Sequence, residues 1–168
     1  MRIRSKQKGF SLIELLIVVA IILIIAAIAI PNLLRAKMAA NEASAVGSLR
    51  TITTAEVSYS TTYGTGYSPI ANLGGAAPCT AVAATACLID QVLAAGTKSG
   101  YTIATPVPGA VGTIAAPNVS FVATAVPVAV GQSGQRSFCT DESGVIRFDP
   151  AGGAIATQAA CQLLTALQ

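Results

Sequence analysis

Few residues of this chain are of types that catalyse reactions or bind metals. Its 168 residues include no His, so a Ser-His or Cys-His catalytic arrangement cannot form within the chain. The acids are scattered, except for Asp141, Glu142 and Asp149. These three could hold calcium, but they do not follow the EF-hand spacing, and a solvated turn is the favoured interpretation. The residue types therefore predict a protein that is not an enzyme and that has no cofactor or metal.

One acid, Glu14, stands inside an otherwise apolar segment. Residues 15–30 are sixteen consecutive apolar residues, and residues 10–13 extend the segment on the other side of the acid. An acid at the centre of a membrane helix costs about 2.5 to 3.5 kcal/mol, and less near an interface, so Glu14 requires a partner. No Lys or Arg lies between Phe10 and Leu34. The cation that processing could create nearby is a new N-terminal amine, made by cutting the chain just before Phe10.

The element that carries Glu14 has the length of a membrane span. Residues 10–30 would form about 31 Å of helix, which matches the thickness of a bilayer core. Four of the ten basic residues lie within the first nine positions, which the positive-inside bias places on the cytoplasmic side. The rest of the chain holds six basic and seven acidic residues, a net charge of −1. Because no broad basic face can form, we expect no binding to nucleic acid.

Beyond the apolar segment, the pattern predicts a longer helix and then a small sheet. Residues 32–62 contain good helix formers and a single glycine, so we expect one helix from Phe10 to about Thr62. Its second half has an apolar face that Glu56 interrupts. The predicted domains are a leader at 1–9, the apolar half-helix at 10–31, the amphipathic half-helix at 32–62 and a globular head at 63–168. The strand candidates in the head are Tyr101–Thr105, Val119–Val126, Arg136–Thr140 and Val145–Phe148.

All four cysteines lie in the second half of the chain, at Cys79, Cys87, Cys139 and Cys161. An even number of cysteines in a chain with an export-like N-terminus favours disulfides over a zinc site, since no C-x-x-C pair and no His are present. Three pairings are possible. Proximity in sequence favours Cys79 with Cys87 and Cys139 with Cys161.

The stretch KGFSLIELLIVVAIILIIAAIAIPNLLRA, residues 8–36, resembles the N-terminus of type IV pilins and of the related pseudopilins of type II secretion. The likeness rests on a basic leader that ends in Gly9, Phe10 after the cleavage point, Glu14 five residues into the mature chain, and Pro31 near the end of the apolar run. The family often has a glycine in the middle of this run, where this chain has Leu23. Filament unwinding here should therefore depend more on Pro31.

The resemblance implies an α+β fold, with a long helix packed on a small antiparallel sheet, and a role in filament assembly. It implies that a prepilin peptidase cuts after Gly9 and that Phe10 is N-methylated. Glu14 would neutralise the amine of an adjacent subunit and set the register, and Pro31 would kink or weaken the helix. The implied partners are other copies of the chain, an inner-membrane assembly platform and its ATPase. The precursor would be a single-pass inner-membrane protein, later part of a surface or periplasmic filament.

Several alternatives remain open from the sequence. The chain could be a pseudopilin of a secretion system or an anchored periplasmic binding domain. It could also carry an ordinary signal peptide cut near Ala27-Ile28-Ala29, although such a peptide gives no purpose to Glu14. The tripeptide Asn118-Val119-Ser120 matches a glycosylation pattern, but patterns of this length also occur by chance.

Overall fold

The computed structural model describes residues 9–105 and 112–167. All of the predicted leader except Gly9 lies outside these residues, and so do residues 106–111 and Gln168 of the predicted head. The described helices are α1 (Leu12–Tyr63), α2 (Ile70–Leu73), α3 (Gln91–Ala94) and α4 (Gln158–Gln162). The described strands are β1 (Thr97–Lys98), β2 (Tyr101–Ala104), β3 (Val122–Pro127), β4 (Ser137–Asp141), β5 (Arg147–Asp149) and β6 (Thr165–Ala166).

Helix α1 is continuous through the two residues that could have ended it, Pro31 and Gly47. Its end follows the expected chemistry, because Gly64 adopts a positive φ of 65° and its N–H donates to the carbonyl of Ser60 at 3.0 Å. The chain divides into two compact units, the first ending at Ala36 and the second beginning at Lys37. In the first unit, the helical side chains from Leu12 to Ala36 are almost all exposed.

The second unit contains a six-stranded sheet in the order β1-β2-β3-β4-β5-β6, and every neighbouring pair is antiparallel. Each of the four strand candidates overlaps an observed strand, with ends that differ by at most three residues. The two-residue edge strands β1 and β6 were not predicted, since so short a segment has no alternation to recognise. The predicted α+β fold, a long apolar N-terminal helix and a small antiparallel sheet, is confirmed.

The main core lies between one face of α1 and one face of the sheet. From α1 it receives Leu49, Ile52 and Tyr59, all fully buried. From the sheet it receives five buried apolar side chains: Tyr101, Ile103, Ala123, Ala125 and Phe138. Each large side chain buried in this way contributes about 1.5 to 3 kcal/mol.

The opposite face of the sheet is also covered. Strand β4 is buried at every residue, and its alternating side chains reach two different cores, because successive residues of a strand point to opposite faces. Phe138 packs with α1 in the main core, whereas Cys139 packs with Cys161 of α4 in a smaller cluster. The tail is held down by this contact and by β6, which pairs with β5.

Candidate functional site

The start of α1 gives Glu14 a partner that the sequence analysis missed. Ser11 directly precedes the helix, and its carbonyl accepts the first helical hydrogen bond, from the Leu15 N–H at 3.2 Å. The Glu14 side chain turns back, and its Oε2 accepts the N–H of Ser11 at 2.9 Å. This is one half of a capping box, and the signal for it, Ser-x-x-Glu, was present in the sequence. Glu14 also lies at the positive end of the helix dipole, which favours a carboxylate there.

The residues around the predicted cleavage point are accessible. Gly9 and Phe10 lie before the first turn of α1, so the bond between them is outside the helix. Phe10 is 88% exposed, and a Cβ added at Gly9 would meet no atom within 4 Å. A protease could therefore reach this peptide bond without first unwinding the helix.

The apolar segment is exposed along its length. Helix α1 is long and apolar enough to cross a membrane by length and composition, and none of its most apolar 18-residue stretch is buried within the structure. A continuous apolar surface of this kind requires cover from lipid or protein. Pro31 stands inside the helix and has no N–H to donate to the carbonyl of residue 27, so one backbone hydrogen bond is missing there.

The four cysteines form two disulfides, Cys79–Cys87 and Cys139–Cys161, which are the pairs that sequence proximity favours. The first closes an exposed loop. The second is fully buried and ties α4 to β4.

The late acids bind groups of the protein itself. Asp141 accepts hydrogen bonds from Ser143 and from Gln162 Nε2, the latter at 3.0 Å, and its Oδ2 lies 3.7 Å from Arg147 Nη1. Burial by itself raises the pKa of Asp141, but the hydrogen bonds from Ser143 and Gln162 and the charge of Arg147 outweigh it, and the net pKa is lowered. Asp149 accepts two backbone N–H groups of its own turn, both at 3.0 Å.

No group of three His, Cys, Asp or Glu that could hold a metal occurs among the described residues. The geometry therefore gives the calcium hypothesis no support. The geometry does not support glycosylation at Asn118 either. The side-chain nitrogen that would carry a glycan donates a hydrogen bond to the Tyr67 carbonyl at 3.0 Å.

The comparisons with known proteins each match part of the chain. A family model described as the prokaryotic N-terminal methylation motif matches residues 4–30. The type IV major pilin protein PilA of Myxococcus xanthus is 43% identical over 77 residues, which cover 46% of this chain and 34% of that protein. The type IV wide pilus major component PilA4 of Thermus thermophilus is 69% identical over 35 residues, which cover 21% of this chain and 27% of that protein.

Over these stretches the chain is similar to type IV major pilins. It spans about a third or less of the length of these two curated relatives. No solved structure matches the chain. The resemblance read from residues 8–36 is thus confirmed, and these relatives are structural proteins and not enzymes.

Two further carboxylates in the head were not identified as sites from sequence. Glu42 on α1 is buried and accepts four hydrogen bonds: its Oε1 from the N–H groups of Gln135 (2.9 Å) and Arg136 (3.2 Å), and its Oε2 from Arg136 Nε (2.9 Å) and Nη2 (2.7 Å). The guanidinium lies over the rings of Phe138 and Phe148, 5.4 and 5.3 Å from their centroids. Burial raises the pKa of Glu42, but these donors outweigh it and the net pKa is lowered. No local motif could reveal partners 94 residues apart.

Glu56 is the opposite case. From the sequence it was expected to interrupt the apolar face, whereas the structure buries it completely on that face. It accepts a single hydrogen bond, from the Ser68 N–H at 3.0 Å. Burial raises its pKa to about 7, and the Ser68 N–H only partly offsets this.

Proposed function

We propose that the chain is the precursor of a structural subunit of a type IV pilus filament. In this proposal it is cleaved between Gly9 and Phe10, N-methylated at Phe10, and assembled through the apolar half of α1. The observation that carries the proposal is an exposed apolar helix with a lone acid in its first turn. The likeness to the major pilins of two bacteria supports it.

Cleavage changes the charge at the start of the helix. A new ammonium group at Phe10 would stand about one turn from Glu14 of the same chain and, in a bundle of copies, near Glu14 of a neighbour. Among the described residues, Glu14 makes only the hydrogen bond from Ser11, through Oε2, so Oε1 can accept from such an amine. In an apolar surrounding an amine and a carboxylate are each costly alone, but as a hydrogen-bonded pair they are tolerated. Because the pair forms only at one axial alignment of neighbouring helices, it would stabilise that register between copies.

The same helix surface would serve two environments in succession. Before assembly, lipid covers the exposed side chains of the apolar segment, and the chain is a single-pass inner-membrane protein. After assembly, copies of the same segment cover one another. Because lipid is as apolar as these side chains, the exchange has little driving force of its own. A membrane platform and an ATPase outside this chain would have to supply the work. Repeated head-to-tail contacts between copies give an open filament instead of a closed ring.

The first experiment is mass spectrometry of the mature chain. An N-terminus of N-methyl-Phe10 supports the proposal, and one that starts at Met1 or near Ile30 contradicts it. An unprocessed Met1 would favour the anchored binding domain. A pseudopilin would share the processed N-terminus. In that case, cells that lack the chain would lose protein secretion and keep their surface filaments.

The second experiment tests the charge pair. Glu14→Gln keeps the shape of the side chain and the acceptor for Ser11 but removes the charge, and we expect the yield of sheared filaments to fall more than tenfold. Glu142→Gln, which removes an exposed carboxylate of the head, is the matched control and should assemble normally. Normal filaments from Glu14→Gln would show that the charge pair is not needed.

A further inference from the structure

Glu56 differs from the other buried carboxylates in how little it is compensated. Glu42 and Asp141 each meet several donors and an arginine. Glu56 is 0% exposed, and its Oε2 accepts only the Ser68 N–H. Its Oε1 has no hydrogen-bond partner in the part of the chain that the structure describes. A buried carboxylate with one donor is costly, whereas the neutral acid costs far less.

The single contact of Glu56 stands at a junction of three elements. Ser68 is itself fully buried and donates its N–H to Glu56 of α1. Its Oγ accepts the side-chain amide of Asn72 on α2 at 3.0 Å, and its carbonyl accepts the hydroxyl of Thr105, just after β2, at 3.4 Å. The acid therefore joins the end of α1 to residues 64–73, which we call the post-helix segment.

Nothing charged in the described structure balances a Glu56 carboxylate. Burial raises its pKa, the Ser68 N–H lowers it in part, and no charged side chain contributes. The titratable groups nearest along α1 and the post-helix segment are the phenols of Tyr59, Tyr63 and Tyr67. The nearest cation along α1 is Arg50, which is exposed.

We propose that Glu56 is a proton-dependent clasp, which holds the post-helix segment on α1 when it is neutral and releases that segment to water when it ionises. The open form hydrates the carboxylate, which the closed form cannot do. The clasp is closed below neutral pH and loosens as the pH rises through neutrality. It would make the surface of the head at residues 64–73 sensitive to external pH. This inference concerns the fold of the head and does not depend on filament formation.

The size of the effect follows from the two states of the acid. In the closed form its pKa is about 7, and in the open form the ordinary value of 4.5 applies. The equilibrium constant for opening should then rise about 40-fold between pH 5 and pH 7, and level off above pH 8.

Hydrogen exchange of the full chain in detergent micelles tests this directly. The exchange of the Ser68 amide, corrected for its intrinsic rate, is measured from pH 5 to pH 8, and we expect opening to increase about 40-fold from pH 5 to pH 7. In Glu56→Gln, which keeps an acceptor for Ser68 but cannot ionise, the corrected rate should be flat. Glu142→Gln should retain the parent profile.

Three results would overturn the clasp: a flat profile in the parent chain, a profile that persists in Glu56→Gln, or Ser68 exchange no faster than that of the β3 amides. The last would mean that only global unfolding exposes this site. A second measurement stands even if Glu56→Gln does not fold: the carboxyl carbon of Glu56 in the parent chain should titrate near pH 7. Titration near 4.5 would exclude the clasp.

Discussion

The two halves of α1 use apolar residues in opposite ways. The half up to Ala36 is almost entirely apolar and almost entirely exposed, so its cover must come from outside the chain. The half from Lys37 to Tyr63 is mixed in composition, yet it buries Leu49, Ile52 and Tyr59 completely against the sheet. Hydrophobicity alone thus does not identify the face that packs in the chain's own fold. Periodicity identifies it, because only one stripe of the second half meets the head.

The two halves also treat a lone acid differently. Glu14 and Glu56 each accept one backbone N–H, at 2.9 and 3.0 Å. Glu14 is exposed at the first turn, where a new cation could reach it, whereas Glu56 is enclosed in a core without a cation. We therefore propose different roles for the same side chain: binding a neighbouring amine in the first half and sensing protons in the second.

The largest expected difference between the halves is in packing. Leu49→Ala should lower the free energy of unfolding of the head by about 2 to 5 kcal/mol, because it leaves a cavity at a fully buried position. Leu16→Ala, at a position that is 61% exposed, should change the same quantity by less than about 0.5 kcal/mol. Chemical denaturation of the full chain in micelles compares the two variants. Equal effects would mean that the second half of α1 does not form part of the core.

The next effect is the pH dependence due to Glu56. Its pKa is raised on folding, so the folded head binds a proton more tightly than the unfolded chain between pH 4.5 and about 7. Stability from this group is full below 4.5 and is lost as the pH rises to about 7. At pH 8, Glu56→Gln should be more stable than the parent by up to about 3 kcal/mol, and at pH 5 the gap should shrink.

This comparison isolates Glu56 from the other acids. Glu42 and Asp141 have lowered pKa values, so their contributions are lost at acid pH and are the same in parent and variant. A stability difference that does not change between pH 5 and pH 8 would contradict the buried-acid interpretation.

The smallest expected effect is that of Glu14 on the head. Glu14→Gln should leave the unfolding free energy of the head within about 0.5 kcal/mol of the parent, since Glu14 touches no part of the main core. Denaturation curves, set beside the filament yields of the same variant, separate assembly from folding. A destabilised head would mean that the loss of filaments reports misfolding.

Much of the architecture could be predicted from local patterns. The uninterrupted apolar run and its good helix-forming continuation predicted α1 to within two residues at each end. The residues Asp141-Glu142-Ser143-Gly144, which separate the last two strand candidates, have the composition of a turn, and Gly144 takes the positive φ of 72° that such a turn favours. The edge strands and the short helices were harder to predict from the sequence, because two to five residues carry too little periodicity.

The sequence by itself determined the exposed apolar segment, the place of Glu14 within it and the likeness to pilins, since these depend on residues that are neighbours along one helix. Only the tertiary structure decided the roles of Glu42 and Glu56. The environment of each depends on whether the fold brings hydrogen-bond donors from distant parts of the chain to the carboxylate. Two glutamates of one helix, 14 residues apart, have pKa values shifted in opposite directions. The Gln135 N–H and the donors of Arg136 outweigh burial at Glu42, whereas at Glu56 the Ser68 N–H offsets burial only in part.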